Sequence, residues 1–224
     1  MTVIPRINRR TLFILVLLVL GTAVQTVATQ HQIKPGVERW PIKTSVPPGA
    51  DITTGKSVAY ADLVKLDDPP GVQKNDHRYQ AARIPSFPNQ LGVKEGDILT
   101  TTGWLHLVAG ESDGDYHIQI SDDPNSQASC LIVEVPNPDP QFVASPELRP
   151  HAEKVRDFIK TKLLRDQEPS PRGSVMQHLT HVTVTGQLFY DDAHVGDQPR
   201  GKKGCKAATL WELHPVTDIR FAPH

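Results

Sequence analysis

A chain of 224 residues with 38% hydrophobic and 22% charged positions carries enough apolar material for a sizeable core. Its formal net charge of −1 excludes a global field that would draw nucleic acid or an anionic membrane surface. Twenty prolines, gathered outside the strand-like runs, exclude long regular elements over much of the first part of the chain.

The N-terminus reads as an address. Arg6, Arg9 and Arg10 precede the apolar run Thr11–Leu20, and small residues follow at Ala23 and Ala28, which is a secretory signal layout. Read uncleaved, Thr11–Ala28 is an uncharged stretch at the short limit of the roughly 17–25 residues that span a bilayer. Residues 1–28 are therefore expected to be a signal peptide or an N-terminal membrane anchor. Either predicts an exported body, periplasmic or extracellular, touching membrane only through residues 11–28. Removing 1–28 takes away three arginines and no acid, so the formal net charge moves from −1 to −4.

Residues 29–95 lack a clean period. Pro47-Pro48-Gly49, Pro69-Pro70-Gly71, Pro85 and Pro88 break the segment repeatedly, and one short helix is expected over Ser57–Leu66. Trp40, Tyr60, Tyr79 and Phe87 are too many aromatics for a free linker. The reading is a Pro-rich irregular arm packed on a barrel, with a disordered spacer as the alternative.

From Gly96 the pattern alternates. Ile98–Val108 puts Leu99, Thr101, Gly103, Leu105 and Leu107 on one side, and Glu111–Gly114 supplies turn chemistry. Tyr116, Ile118 and Ile120 alternate with Asp115, His117 and Gln119, the pattern of a half-buried strand. Cys130–Val135 is a third strand, His151–Leu164 an amphipathic helix, Val182–Asp191 a fourth strand, and Ala207–Phe221 contains the fifth. Three strands, a helix and two strands give a mainly β fold. The order is that of a five-stranded OB-fold-like Greek-key barrel with one helix between strands 3 and 4, over residues 96–224. Thr-Gly-x-Leu occurs in both the first and fourth strands, at Thr102–Leu105 and Thr185–Leu188, where glycine suits the corners of a small barrel. An OB barrel closes by pairing its third and fifth strands in parallel. Cys130 opens one and Cys205 precedes the other, so a disulfide between them fits both the fold and an oxidising compartment. Two separately buried thiols are the alternative.

Glu38–Thr44, Asp113–Ile118, Cys130–Pro136 and Trp211–Val216 together resemble a group of uncharacterised exported bacterial proteins. The similarity covers most of the mature chain and implies no activity and no functional residues.

Three places could carry chemistry. Asp115 and His117 share one face of the second strand, and Glu212 and His214 one face of the fifth. If brought together at the surface, two carboxylates and two imidazoles could hold Zn²⁺ or another divalent ion, or serve as a general acid/base group. The alternative is that each pair makes structural hydrogen bonds capping strand ends or fixing the N-terminal arm. The second and fifth strands are not barrel neighbours, which weighs against convergence. The second place is the basic loop Arg200-Gly-Lys-Lys-Gly-Cys-Lys206, with Arg200, Lys202 and Lys203. In OB folds this loop and the first hairpin border the binding face. With Trp104 or Phe189 as a stacking platform it could take an anionic glycan or an oligonucleotide, the alternative being a solvated hairpin loop. The third is Asp191-Asp192-Ala193-His194, read as a turn rather than a cation site. No nucleophile motif and no phosphate-cradling loop is present, and no cofactor is expected beyond a divalent metal. The leading expectation is an exported OB-fold binding module. A metal-dependent hydrolase using a surface Asp/Glu-His cluster, or a structural envelope protein, are the alternatives.

Overall fold

The computed structural model describes residues 39–125 and 129–223. Its centre is a five-stranded closed barrel built from β1 (Ile98–Gly110), β2 (Tyr116–Ser121), β3 (Cys130–Val135), β4 (Ser174–Tyr190) and β5 (Ala207–Phe221). The strands run in the order β1-β2-β3-β5-β4, and β1 closes the ring on β4. All neighbours are antiparallel except β3 and β5, which pair in parallel, as an OB-fold-like architecture requires. Between β3 and β4 the chain forms α3 (Arg149–Phe158), prolonged by a π-helical turn, Ile159–Leu163. Its buried face, Ala152, Val155 and Ile159, packs toward β5.

Inward side chains fill the barrel: Ile118 and Ile120 from β2, Leu131 and Val133 from β3, Leu188 and Tyr190 from β4, Trp211 and Leu213 from β5. The expected alternation along β1 holds only in its first half. A bulge between Leu105 and Leu107 shifts the phase, so Val108 rather than Leu107 joins the barrel core. Leu107 instead packs beneath Gly173, where an added Cβ would sit 2.7 Å from it. That bulge also lets β1 pair onward with Val175 and Ser174, so β4 begins earlier than the expected Val182. At Gly103 and Gly186 a Cβ would come within 2.9 Å of a backbone oxygen on the neighbouring strand. Both glycines are therefore close-approach positions, and Gly186 coincides with the register shift between β4 and β5.

The segment before β1 has little regular structure: α1 (Trp40–Lys43), a two-residue strand Lys56–Ser57 parallel to β1, and α2 (Tyr60–Leu63). The helix expected over Ser57–Leu66 is shorter because Ser57 is recruited to the sheet, with the Val58 N–H donating to Thr100 O. Leu63, Leu66, Ile84 and Val93 belong to the same core as the barrel. The main tie is Arg39, fully buried, whose guanidinium makes a two-pronged ion pair with Glu95 at 2.6 and 2.7 Å. It also donates to Tyr79 O, Ala82 O and Tyr190 O.

Cys130 and Cys205 form a disulfide with Cα atoms 6.0 Å apart. One expectation is corrected. Among the described residues no helix is long and apolar enough to cross a membrane. Residues 1–28, on which the anchor and the exported placement rested, lie outside the described residues, so that localisation is withdrawn. The envelope-protein alternative thereby loses the anchor that would have favoured it.

Candidate functional site

Strand register builds one row of polar side chains on the outer face of the barrel. On β2 the outward positions are His117 and Gln119, preceded by Asp115; on β3 they include Ile132 and Glu134; on β5, Glu212 and His214. Antiparallel pairing sets His117 opposite Glu134. Parallel pairing sets Ile132 opposite Glu212 and Val133 opposite Leu213, which brings Glu134 level with His214. The two sequence-predicted pairs therefore do meet, through a residue of the strand between them. Glu134 was not among the candidates. Its signal was a carboxylate inside an otherwise apolar strand, a residue type that is almost never buried without a partner.

The row is buried rather than superficial, contrary to expectation. Asp115, His117, Glu134, Glu212 and His214 are all buried, because two segments roof the outer face. One is α1: Lys43 lies near Asp113 and Asp115, and Ile42 O accepts from Gln187. The other is the β4–β5 loop. Gln119 grips it by donating from Nε2 to Lys202 O at 3.0 Å and accepting from Lys202 N at 2.5 Å, and the disulfide holds its far end to β3. A metal-dependent hydrolase acting from a surface cluster is therefore not supported.

The Gln119 grip settles the state of His117. With its Nε2 committed to Lys202 O, Gln119 presents Oε1 to His117 Nε2 at 3.1 Å, so that ring nitrogen must donate. His117 Nδ1 lies 2.8 Å from Glu134 Oε1, and a carboxylate can only accept. His117 is an imidazolium. Burial alone would lower its pKa, but the bond to Glu134 outweighs burial and raises it. Glu134 is pushed up by burial, yet the imidazoles of His117 and His214 hold it well below the usual carboxylate range.

His214 is the exception. It is fully buried, and among the described residues neither ring nitrogen has a hydrogen-bond partner. Nε2 is 3.5 Å from Asp115 Oδ2, while Nδ1 is 3.2 Å from Glu134 Oε2 and 3.9 Å from Glu212 Oε2. These are ion-pair distances without hydrogen-bond alignment. Burial opposes charge on His214, but Glu134 and Glu212 prevail and raise its pKa to about 9. Asp115 is pushed up to about 6 by burial, against the pull of His214. Asp115, Glu134 and His214 offer ligand atoms within 4.8 Å of one another and could coordinate a divalent metal.

These values set a pH dependence for protein kept metal-free with a chelator. The unfolded chain releases the His214 proton near pH 6.5, whereas the folded chain holds it to about pH 9. The folded state binds more protons in that window, so this stability is complete below about pH 6.5 and lost as pH rises toward 9. Guanidinium unfolding at those two pH values should show a lower midpoint at the higher one, with His214→Gln flattening the change. Equal midpoints in the unmodified protein would contradict it.

The basic loop is placed differently from its expected role. Arg200 is turned inward, paired with Asp191 at 2.7 Å and with Glu212. Lys202 pairs with Glu111 at 2.9 Å, and Lys203 alone of the three is fully exposed, at a turn with φ 54°. Trp104 stacks on His181 in mid-strand, while Phe189, buried against His214 and the Arg39 guanidinium, lines the same cavity as Arg200 and Lys202. Asp191–His194 forms the expected turn, a short 3-10 segment in which His194 Nδ1 meets Asp191 Oδ2 at 2.7 Å.

Between the β1–β2 turn and the β4–β5 loop lies a cavity of about 350 Å³. Glu111 and Asp113 form one rim, His194 and Lys202 the other, and Glu134 and His214 the floor.

No protein-family model matches the chain. No curated protein matches it either. Among solved structures it is similar to Entamoeba histolytica asparaginyl-tRNA synthetase, at 15% identity over 58% of this chain and 21% of that one, with a TM-score of 0.31. It is also similar to that enzyme in complex with asparaginyl-adenylate, at 11% identity over 76% and 25% of the two chains, with a TM-score of 0.33. The chain thus spans a quarter or less of those proteins' length. This is a weak, distant likeness and carries no argument about activity. Nothing in these comparisons supports the resemblance to exported bacterial proteins, which is set aside.

Proposed function

We propose that this protein is a binding module whose ligand enters the outer-face cavity between residues 111–115 and 191–206, and that the ligand is a cation or presents a cationic group. The observation that carries the reading is the cavity's position. It lies on the face, and between the two loops, that OB barrels use for their ligands.

Its charge selects the sign of the ligand. Glu111 and Asp113 line the cavity from the β1–β2 turn and Glu134, Asp191 and Glu212 from the other strands, with Asp115 buried behind them. Against the five carboxylates that line the cavity stand four cations, Lys43, His117, Arg200 and Lys202. The one negative charge left over is met by the His214 proton unless a cationic ligand displaces it. Low-dielectric walls make such an imbalance more effective than the same charges in water.

The test is a set of backbone amide titrations followed by NMR. Zn²⁺ and spermidine serve as cationic probes, heparin fragments and oligothymidylate as anionic ones. Shifts confined to residues 111–117 and 191–202 with at least one cationic probe, and absent with both anionic probes, are expected. A response to an anionic probe centred on Lys203 and the neighbouring loop would overturn the proposal in favour of a glycan or oligonucleotide partner.

A further inference from the structure

We propose that Asp115, Glu134 and His214 are the ligands of one zinc-class divalent cation just beneath the floor of this cavity, with a coordination position left open toward it. The inference rests on reading the cavity as the ligand site and narrows that reading to a metal. Its strongest support is the unmet state of His214. A fully buried imidazole that is faced by carboxylate oxygens at 3.2 and 3.5 Å, yet has neither nitrogen hydrogen-bonded among the described residues, is uncommon in a folded protein and points to an ion between them.

The carboxylates around it are arranged as ligands usually are. Asp115 accepts Asn137 N–H on Oδ1 at 2.9 Å and turns Oδ2 toward His214 Nε2. Glu134 accepts from His117 on Oε1 and turns Oε2 toward the His214 ring. Each carboxylate therefore has one oxygen oriented by an outer partner while the other faces the imidazole, the arrangement that orients metal-binding side chains. His117 and Glu212 do not complete the set. His117 donates with both nitrogens, and Glu212 is engaged by Arg200.

Distances and donor types choose the ion. Zinc bonds of ~2.0–2.2 Å in a tetrahedron put ligand atoms roughly 3.3 Å apart. The Asp115 oxygen is 3.5 Å from His214 Nε2, and Glu134 Oε2 faces the other ring nitrogen at 3.2 Å. All three ligand atoms lie within 4.8 Å of one another, so a side-chain rotation of Glu134 brings both carboxylates to an ion on one nitrogen. One imidazole and two carboxylates suit Zn²⁺, or Co²⁺ in its place. Ca²⁺ wants six to eight oxygens and Mg²⁺ keeps an octahedral shell rich in water, and this buried floor provides neither. Glu134 and His214 line the cavity, so the fourth position opens into it.

Isothermal titration of chelator-stripped full-length protein tests this, with Zn²⁺, Ca²⁺, Mg²⁺ and spermidine as separate probes and Co²⁺ followed by its visible absorption. The expected result is one Zn²⁺ per chain, at least about a hundredfold tighter than Ca²⁺ or Mg²⁺. The Zn²⁺ heat and the Co²⁺ spectrum should be lost in Glu134→Gln and His214→Gln, each checked for folding by near-ultraviolet circular dichroism. Asp115→Asn serves where one of these does not fold, and the rim variant Glu111→Gln should keep the metal. Retention of Zn²⁺ by folded Glu134→Gln and His214→Gln, or its loss in Glu111→Gln, overturns the assignment. Spermidine binding without Zn²⁺ binding overturns the metal site and leaves the cavity reading standing; binding of neither removes both.

Discussion

Arg39→Met is expected to lower the stability of the folded chain by about 3–5 kcal/mol, the range for removing one partner of a buried ion pair. The reason is what it leaves behind. Glu95 is as buried as Arg39, and its carboxylate also accepts the Ile84 and Tyr190 N–H groups at 2.6 and 3.0 Å. Those two donors cannot neutralise it. The guanidinium, moreover, satisfies the carbonyls of Tyr79, Ala82 and Tyr190, which the methionine cannot. These residues come from three stretches of chain, so the loss should appear as loosening of residues 39–95 before the barrel opens. Guanidinium unfolding with hydrogen exchange would show this. Arg39→Met with Glu95→Gln should cost less than Arg39→Met alone, because the second change removes the stranded charge. Equal or greater loss in the double variant would mean that the ion pair is not what matters.

The second large effect is the disulfide. Cys130→Ala with Cys205→Ala is expected to cost about 4 kcal/mol on chain-entropy grounds for a closed loop of this size. The two cysteines are 75 residues apart, so the crosslink removes much conformational freedom from the unfolded chain. It also carries a local consequence. Cys205 holds the end of the loop bearing Arg200 and Lys202 against the start of β3. Reduced protein should therefore bind its ligand more weakly while the barrel still folds. An unfolding midpoint that ignores reduction would contradict this.

The barrel was legible because its signals are local. Tyr116–Ile120 and Cys130–Val135 alternate or run apolar over lengths that only strands use, and the glycines at 103 and 186 mark close approaches of neighbouring strands. The site was legible only in part. Asp115 with His117, and Glu212 with His214, announce a shared face because two-residue spacing in a strand guarantees it. Their meeting depends on the parallel register of β3 and β5, a long-range property that no local pattern encodes. Glu134 was passed over for the same reason, since its partners come from two other strands. Burial of the row was hidden too. The roof comes from Arg39–Lys43 and from a loop whose lysines and arginine read as solvated charge. Arg200 instead neutralises Asp191 and Glu212, and Lys202 neutralises Glu111.

The most direct test is a crystal of the protein grown with Zn²⁺ and measured on both sides of the zinc absorption edge. The anomalous difference map should hold one strong peak per chain, within about 2.0–2.2 Å of one oxygen each of Asp115 and Glu134 and one His214 nitrogen. A peak at the rim among Glu111, Asp113 and His194, or a map with no peak while His214 stays unmet, would contradict a cation site on the barrel's outer face.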